Sequence, residues 1–446
     1  LARVRCLMMQ RDEAVFLEPW LRYYGYLFGY ENLVVFDNGS VEPSVLDTLA
    51  RYARAGVTVL RDFADNAAFQ HKGAIIGGAI RHLDETIGAQ GYDFALPVDC
   101  DEFIVALTQD GMSCARQAIH ASLDAMIGRQ HAFSIELSFY NLPGRTGWFF
   151  PDGNRKGFLA AGTIAELDHG FHLPRSRIDD RSIETPFAYL HFHNRPFADM
   201  QRHAARKLEG LVDVTDHEAL RRFRGAGHHL VGYFFMDETG YRTRYDDAVA
   251  VAMPEFTDLM AALGVPAEAI DGPADYPVQL GGRLGLRLPL RDGVERRIGA
   301  FDGLAYIERS GDVREAGMPP LYHYLLFGRG EKRPPTLVDH APEAPLPPDP
   351  ALPEGARPPA PLEPQYSLLG RAGAPPPGAV IVDPATLAPG AAHERDASLD
   401  GQAPEAMPET DPASAAKPAE EASGWAFRRF DAMIDADAES ETGGVR

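Results

Sequence analysis

VRCLMMQRDEAVFLEPWLRYYGYLFGYENLVVFDN (residues 4–38) decides the fold. Its ends, VRCLMMQ (4–10) and NLVVFDN (32–38), are apolar runs of the length of a buried strand, and the stretch between them carries apolar residues at helical spacing. This is a βαβ unit, which pairs its strands in parallel. The pattern continues outward. PSVLDTLARYARAG (43–56) starts with Pro43, where a helix tolerates proline, and stops at Gly56 before the strand VTVLRDF. An amphipathic stretch at 67–88 then leads into YDFALPVD (92–99). Four strands alternating with three helices predict an α/β protein with a mostly parallel, Rossmann-like sheet covered on both faces. Such sheets bind ligands beyond their C-terminal strand ends. Asp37, Asn38, Asp62, Asp99 and Asp101 all fall there.

The last of these ends, LPVDCDEFIV (96–105), sets Asp99, Asp101 and Glu102 between two apolar runs. Three carboxylates within four residues repel one another and are costly to desolvate, so a cation or hydrogen-bond donors are expected beside them. The strand that ends here is expected to be extended, which places Asp99 and Asp101 on one face, where they can grip one divalent ion. Mn²⁺ or Mg²⁺ takes hard oxygen ligands, keeps open positions and bridges phosphate oxygens, so the pair points to a diphosphate substrate.

Composition narrows the partners. The chain has 446 residues, 45% of them apolar, and a formal charge of -21, which argues against nucleic acid as a ligand. Its three cysteines, Cys6, Cys100 and Cys114, offer no disulfide framework and suit a reducing compartment. No apolar run reaches membrane-spanning length and no signal-peptide pattern opens the chain. The expected location is the cytoplasm, with at most a peripheral association at the inner face of the membrane.

With Gln10-Arg11-Asp12-Glu13, EPWLRYYGYLFGYENLVVFDNGS, Gln70 before a helix and then LPVDCDEFIV, residues 3–107 resemble the bacterial family 2 and family 92 glycosyltransferases of GT-A fold. The likeness extends more weakly to about residue 210, through HFHNRPF and the helix with Lys207. It implies a nucleotide-sugar donor, a glycan acceptor and a role in polysaccharide or cell-surface glycan synthesis. It also implies that Arg11, Glu13, Asp37 and Asn38 lie near the base and ribose, with Gln70 in the same donor site and Asp99 and Asp101 on the metal and diphosphate. Asp12 stands where the family has Asn, and SVEPS replaces its S-x-D continuation.

His191 and His193, two apart in the strand-like AYLHFHN (188–194), share a face, and either can complete the metal site, with His193, next to Asn194 and Arg195, preferred. Lys72, Arg195 and Lys207 are candidate cations for the diphosphate, whereas Arg206 reads better as surface charge. A catalytic base for the acceptor hydroxyl is expected between the two motifs; among Asp152, Glu166, Asp168, Asp179, Asp180 and Glu184, the preferred residues are Glu166 and Asp168. Trp148, Phe149 and Phe150 fit an acceptor platform or an ordinary core equally.

The predicted organisation is a glycosyltransferase domain at 1–295, with a donor half at 1–107 and an acceptor half at 108–295. A small helical module follows at 296–335, then a Pro- and Ala-rich acidic tail at 336–446. FDGLAYIERSGDVREAGMPPLYHYLLFGRGEKRP (301–334) resembles a short module of bacterial surface-associated and glycosyltransferase proteins, and reads as two short helices with a structural or docking role. Leu304, Tyr306, Ile307 and Val313 are expected to pack on its second half, with His323 a core hydrogen-bonding residue. GWAFRRFDAMI (424–434) is a second candidate docking segment. Two further readings remain: an inactive glycan-binding scaffold, and, less favoured, a phosphatase of the haloacid dehalogenase type.

Overall fold

The computed structural model describes residues 1–64, 66–152, 154–225, 227–246, 248–266, 268–271, 283–288 and 297–338. Strands β1 (Val4–Gln10), β2 (Leu33–Asp37), β3 (Thr58–Leu60) and β4 (Phe94–Pro97) lie in the order β3-β2-β1-β4, all parallel. The expected helices join them: Leu17–Phe28, Pro43–Arg54 and Lys72–Thr86. The third is preceded by a separate turn of helix, Asn66–Gln70, so the predicted 67–88 helix is interrupted at His71. β1 shows why the sheet is covered on both faces. Cys6 and Met8 point into one core cluster with Trp20, Tyr23 and Tyr24 of the first helix, while Leu7 and Met9 point into another with Ile75, Ile76 and Ile80 of the third.

The parallel pairing does not govern the rest of the chain, which corrects the expectation of a mostly parallel sheet. It continues through β5 (Glu102–Thr108), β6 (Gly111–Ser113), β7 (Ala132–Ile135), β8 (Leu137–Asn141), β9 (Trp148–Asp152) and β10 (Lys156–Ala160). Short hairpins at 111–113, 137–152 and 164–176 leave no length for a helical crossover, so most later pairs are antiparallel. β10 lies antiparallel between β4 and β7 in the first sheet. β11 (Ile164–Glu166) and β12 (Arg175–Ser176) form a small ribbon, and β13 (Ser182–Glu184) closes the seven-stranded first sheet, β13-β7-β10-β4-β1-β2-β3. β14 (Phe187–His191), β15 (Ala250–Ala252), β16 (Gly285–Leu288), β17 (Arg297–Phe301) and β18 (Leu337–Val338) complete a second sheet, β18-β17-β16-β15-β9-β8-β14-β5-β6. The strand expected at 131–141 is two strands, because the chain passes at Glu136 from the first sheet to the second.

The 301–334 stretch folds as three short helices, Gly303–Arg309, Gly311–Glu315 and Pro320–His323, continued by a π-turn at Tyr324–Gly328. Tyr306, Ile307, Val313, Leu321, Tyr324 and Leu325 are buried, but Leu304 is exposed, because it stands on the outer side of its helix. The Tyr306 hydroxyl lies 3.0 Å from His323 Nδ1. Gly303 sits so close to the Gln109 carbonyl that a Cβ would meet it at 2.6 Å. The tail beyond Val338, including 424–434, lies outside the described residues. Among the described residues no helix is long and apolar enough to cross a membrane.

Candidate active site

The acidic turn is the point where the chain leaves one sheet for the other. β4 ends at Pro97 in the first sheet, β5 begins at Glu102 in the second, and residues 98–101 cross between them. The crossing is not extended. The Glu102 N–H donates to the Asp99 carbonyl at 3.2 Å, closing a turn, so Asp99 and Asp101 do not share a strand face but turn toward different partners. Cys100 between them is buried. The first helix fixes the far side of the turn: the Tyr24 hydroxyl donates to the Glu102 carbonyl and accepts from the Ile104 N–H, both at 3.0 Å, and Tyr23 donates to the Ile104 carbonyl at 2.5 Å.

The positive charge expected beside the acids is present in the protein itself. Lys72 Nζ, at the start of its helix, reaches Asp99 Oδ1 at 2.7 Å. Lys156 Nζ, at the start of β10, reaches Asp99 Oδ2 at 2.8 Å and Glu102 Oε1 at 2.9 Å. Lys72 is 5% exposed, Lys156 4% and Glu102 0%. Burial alone would raise the Asp99 carboxyl, yet the two ammonium groups outweigh it and hold it well below the usual range. Burial likewise opposes the Lys156 charge, and Asp99 and Glu102 overcome it, raising that ammonium above its ordinary value. Phe171 lies over both cations, its ring centroid 4.5 Å from Lys72 Nζ and 5.7 Å from Lys156 Nζ. Its backbone is left-handed, φ 59°, unusual for a bulky residue. Its loop closes against Gly73, whose missing Cβ leaves room for the Leu167 and Asp168 carbonyls.

Asp101 forms no ion pair with a lysine among the described residues and keeps 22% of its side chain exposed. Its Oδ1 lies 3.6 Å from His191 Nε2, and His191 Nδ1 lies 3.6 Å from Glu102 Oε1. Burial opposes charge on both partners of this pair, but their mutual attraction wins: Asp101 is held below the carboxylate range and His191 above its ordinary value. His193 is driven down to about 3 by burial and by His191, so its ring is neutral at pH 7. It stacks on Tyr140 with ring centroids 5.2 Å apart, and its Nε2 lies 3.4 Å from the Tyr233 hydroxyl. Arg195 meets Glu13 at 2.8 Å and lies 5.2 Å over the Phe16 ring. Asn194 is clasped by Asn141, whose Nδ2 donates both to the Asn194 carbonyl and to Asp271 Oδ1, each at 2.7 Å. Burial pushes the Asp271 carboxyl up to about 7 despite bonds from Asn141 and the Gly147 N–H.

The other strand ends are polar and ordered. Asp37 Oδ1 accepts from Gln10 Nε2 at 3.0 Å and from the Ser40 N–H at 3.1 Å, and Asn38 donates to the Phe63 carbonyl. Asp12 has φ 53° and accepts from the Val41 and Glu42 N–H groups at 2.8 Å. It anchors the loop before the second helix, a conformation that Asp tolerates as Asn does. Arg11 and Gln70 are exposed at this edge.

The structure gathers Asp99, Asp101, Glu102, Lys72, His191, His193, Arg195 and Glu13 around one turn, and engages the carboxyls of the preferred bases with other partners. Glu166 is 68% exposed and lies 3.5 Å from Arg175. Asp168 accepts from the Gly170 and Leu173 N–H groups, which overcome its burial and hold it below the usual range, a poor state for a base. Phe149 is fully buried in the main core, and Phe150 stacks on Tyr245 at 4.3 Å, so these aromatics are largely core. Lys156 belongs to no motif of the sequence. Its signal was a lone cation opening the apolar strand KGFLA, which needs an acid once buried.

As for a metal, both Asp99 oxygens are engaged by lysines, and among the described residues no group of three or more His, Cys, Asp or Glu side chains could hold an ion. Asp101 Oδ1 and His191 Nε2, 3.6 Å apart, fit a two-ligand site completed by phosphate and water. Compared with protein-family models and with curated proteins, the chain matches none of them.

Proposed function

We propose that this chain is a nucleotide-sugar-dependent glycosyltransferase of GT-A type that moves a sugar from a nucleotide diphosphate to a glycan acceptor. The observation that carries the reading is the acidic turn at the C-terminal edge of four parallel strands, with Asp101 facing His191 where the two sheets meet. The base and ribose lie against the edge formed by Gln10, Asp37 and Asn38, and the diphosphate lies toward Asp101. Arg195, oriented by Glu13, offers a guanidinium to the leaving diphosphate. Mn²⁺ or Mg²⁺, held by Asp101 and His191, would neutralise the diphosphate charge. Lys72 and Lys156 keep Asp99 ionised and fixed, so that the turn presents Asp101 and not Asp99 to the donor.

A thermal-shift titration of the full chain with UDP-, GDP- and CMP-sugars, with and without Mn²⁺, tests this. One nucleotide sugar at about a hundred times its Kd stabilises the fold by about 2.7 kcal/mol, and Asp101→Asn removes the Mn²⁺-dependent part. Donor hydrolysis falls with Asp101→Asn and persists in His323→Ala. Failure of every nucleotide to stabilise the protein sinks the reading. The engagement of both Glu166 and Asp168 elsewhere favours the second reading, a glycan-binding protein without catalysis, which binds donor but never hydrolyses it.

A further inference from the structure

The segment following Arg195 forms a helical layer with its own small core of Met200, Ala204, Leu208, Leu220, Leu230, Tyr233 and Tyr241. It spends its acids and its bases differently. Asp216 accepts from the Glu218 and Ala219 N–H groups, Asp237 from Gly240 and Asp213 from Thr215. Asp199 pairs with Arg202, and Glu218 with Arg222. By contrast, His203, Lys207, His228 and His229 form no ion pair with a carboxylate among the described residues, in a chain whose net charge is -21.

These bases are arranged, not scattered. Imidazole rings run outward from Asp101 in a file: His191 to His193 is 5.6 Å between centroids, His193 to His229 is 6.5 Å, and His229 to His228 is 6.2 Å. His228 and His229 are exposed. Lys207 stands near His229 and also near the acidic turn, where Asp101, Glu13 and Asp99 favour its charge against the cost of burial. Burial, then the Lys207 ammonium, lowers His203 to about 2 and His229 below its ordinary value, an independent sign that the lysine stands close to both. A neutral acceptor needs no such lining. An anionic one, approaching a strongly acidic protein, needs local N–H donors free of competing carboxylates.

We propose that His193, His229 and His228 form an acceptor subsite for a glycan bearing carboxylate or phosphate groups, with Lys207 at the junction between this subsite and the acidic turn. The inference rests on the glycosyltransferase reading of the adjoining turn. The file starts beside the donor site and extends two ring spacings beyond it to the surface, so its outer members are placed to touch the acceptor and not the donor diphosphate.

The test supplies the full-length protein and its donor with three acceptors of matched length: a uronic-acid oligosaccharide, its carboxyl-reduced neutral form and a sugar-phosphate-terminated form. At least one anionic acceptor is used about tenfold better in kcat/KM than the neutral one. In His228→Gln/His229→Gln that preference collapses through the acceptor KM, while the donor KM does not follow. Whichever anion is preferred names the group recognised. Equal use of the neutral acceptor overturns the proposal, and so does a donor KM that rises as much as the acceptor KM. If no acceptor turns over, the functional reading fails by itself, and calorimetry decides the subsite: binding of the uronate or phosphate oligomer that weakens in the double variant supports it, and absent or unchanged binding overturns it.

Discussion

Lys156 shows how much one side chain can organise. It is nearly inaccessible, and it stands between Asp99 and a fully buried Glu102. Lys156→Met keeps the length of the stem but leaves Glu102 and one oxygen of Asp99 without their cation. The expected loss is about 3–5 kcal/mol, the cost of stranding one half of a buried pair, measured by denaturant unfolding. Lys156→Arg recovers part of it. A Met variant as stable as the parent would mean that the clamp contributes nothing. The acids of this turn were legible in the sequence because D-C-D-E interrupts an apolar run, and the need for a cation followed from simple repulsion. The identity of that cation was not legible, since Lys156 arrives from a strand 57 residues away that enters between β4 and β7.

Among elements, the four parallel strands and their helices were readable because each buried strand is one apolar run and each helix repeats at its own period. The later strands were harder: Ala132–Ile135 and Leu137–Asn141 are continuous in sequence but belong to different sheets, and nothing in HAFSIELSFYN marks the change at Glu136. The clasp of Asn141, Asn194 and Asp271 makes a prediction at this scale. Asp271 titrates near 3.8 when unfolded and at about 7 when folded. Between those values the folded state holds a proton that the unfolded state has lost, so this group makes stability fall as pH rises from about 4 to about 7. Asp271→Asn removes that slope, so between pH 5 and pH 8 the stability difference between variant and parent moves in the variant's favour by about 2–3 kcal/mol. Urea melts at pH 5 and pH 8 measure it, and parallel pH profiles for the two proteins would refute it. In the variant the Asn194 clasp is retained through Asn141, so His193 and Arg195 keep their places.

At the scale of the whole molecule, the two sheets share one continuous core: Val4, Cys6 and Met8 of the first sheet lie in the same cluster as Phe103, Val105, Tyr189 and Phe192 at the second. The helices at 303–328 join it through Tyr306, Val313 and Leu321. The stretch 1–107, although it carries the stronger part of the sequence resemblance, is therefore not a portable unit. Cut after residue 107, it would keep Asp99 and Glu102 but lose Lys156, lose β10 from the open edge of β4 and lose β14 from the side of β5. Expressed alone, residues 1–107 are expected to lack a cooperative melt, and co-expression with 108–446 is expected to restore one. Two fragments that melt independently would contradict this. The wedge of β10 makes the acidic turn a joint product of two distant stretches: residues 1–107 transplanted onto a foreign chain would bring the acids but leave behind the lysine that holds them.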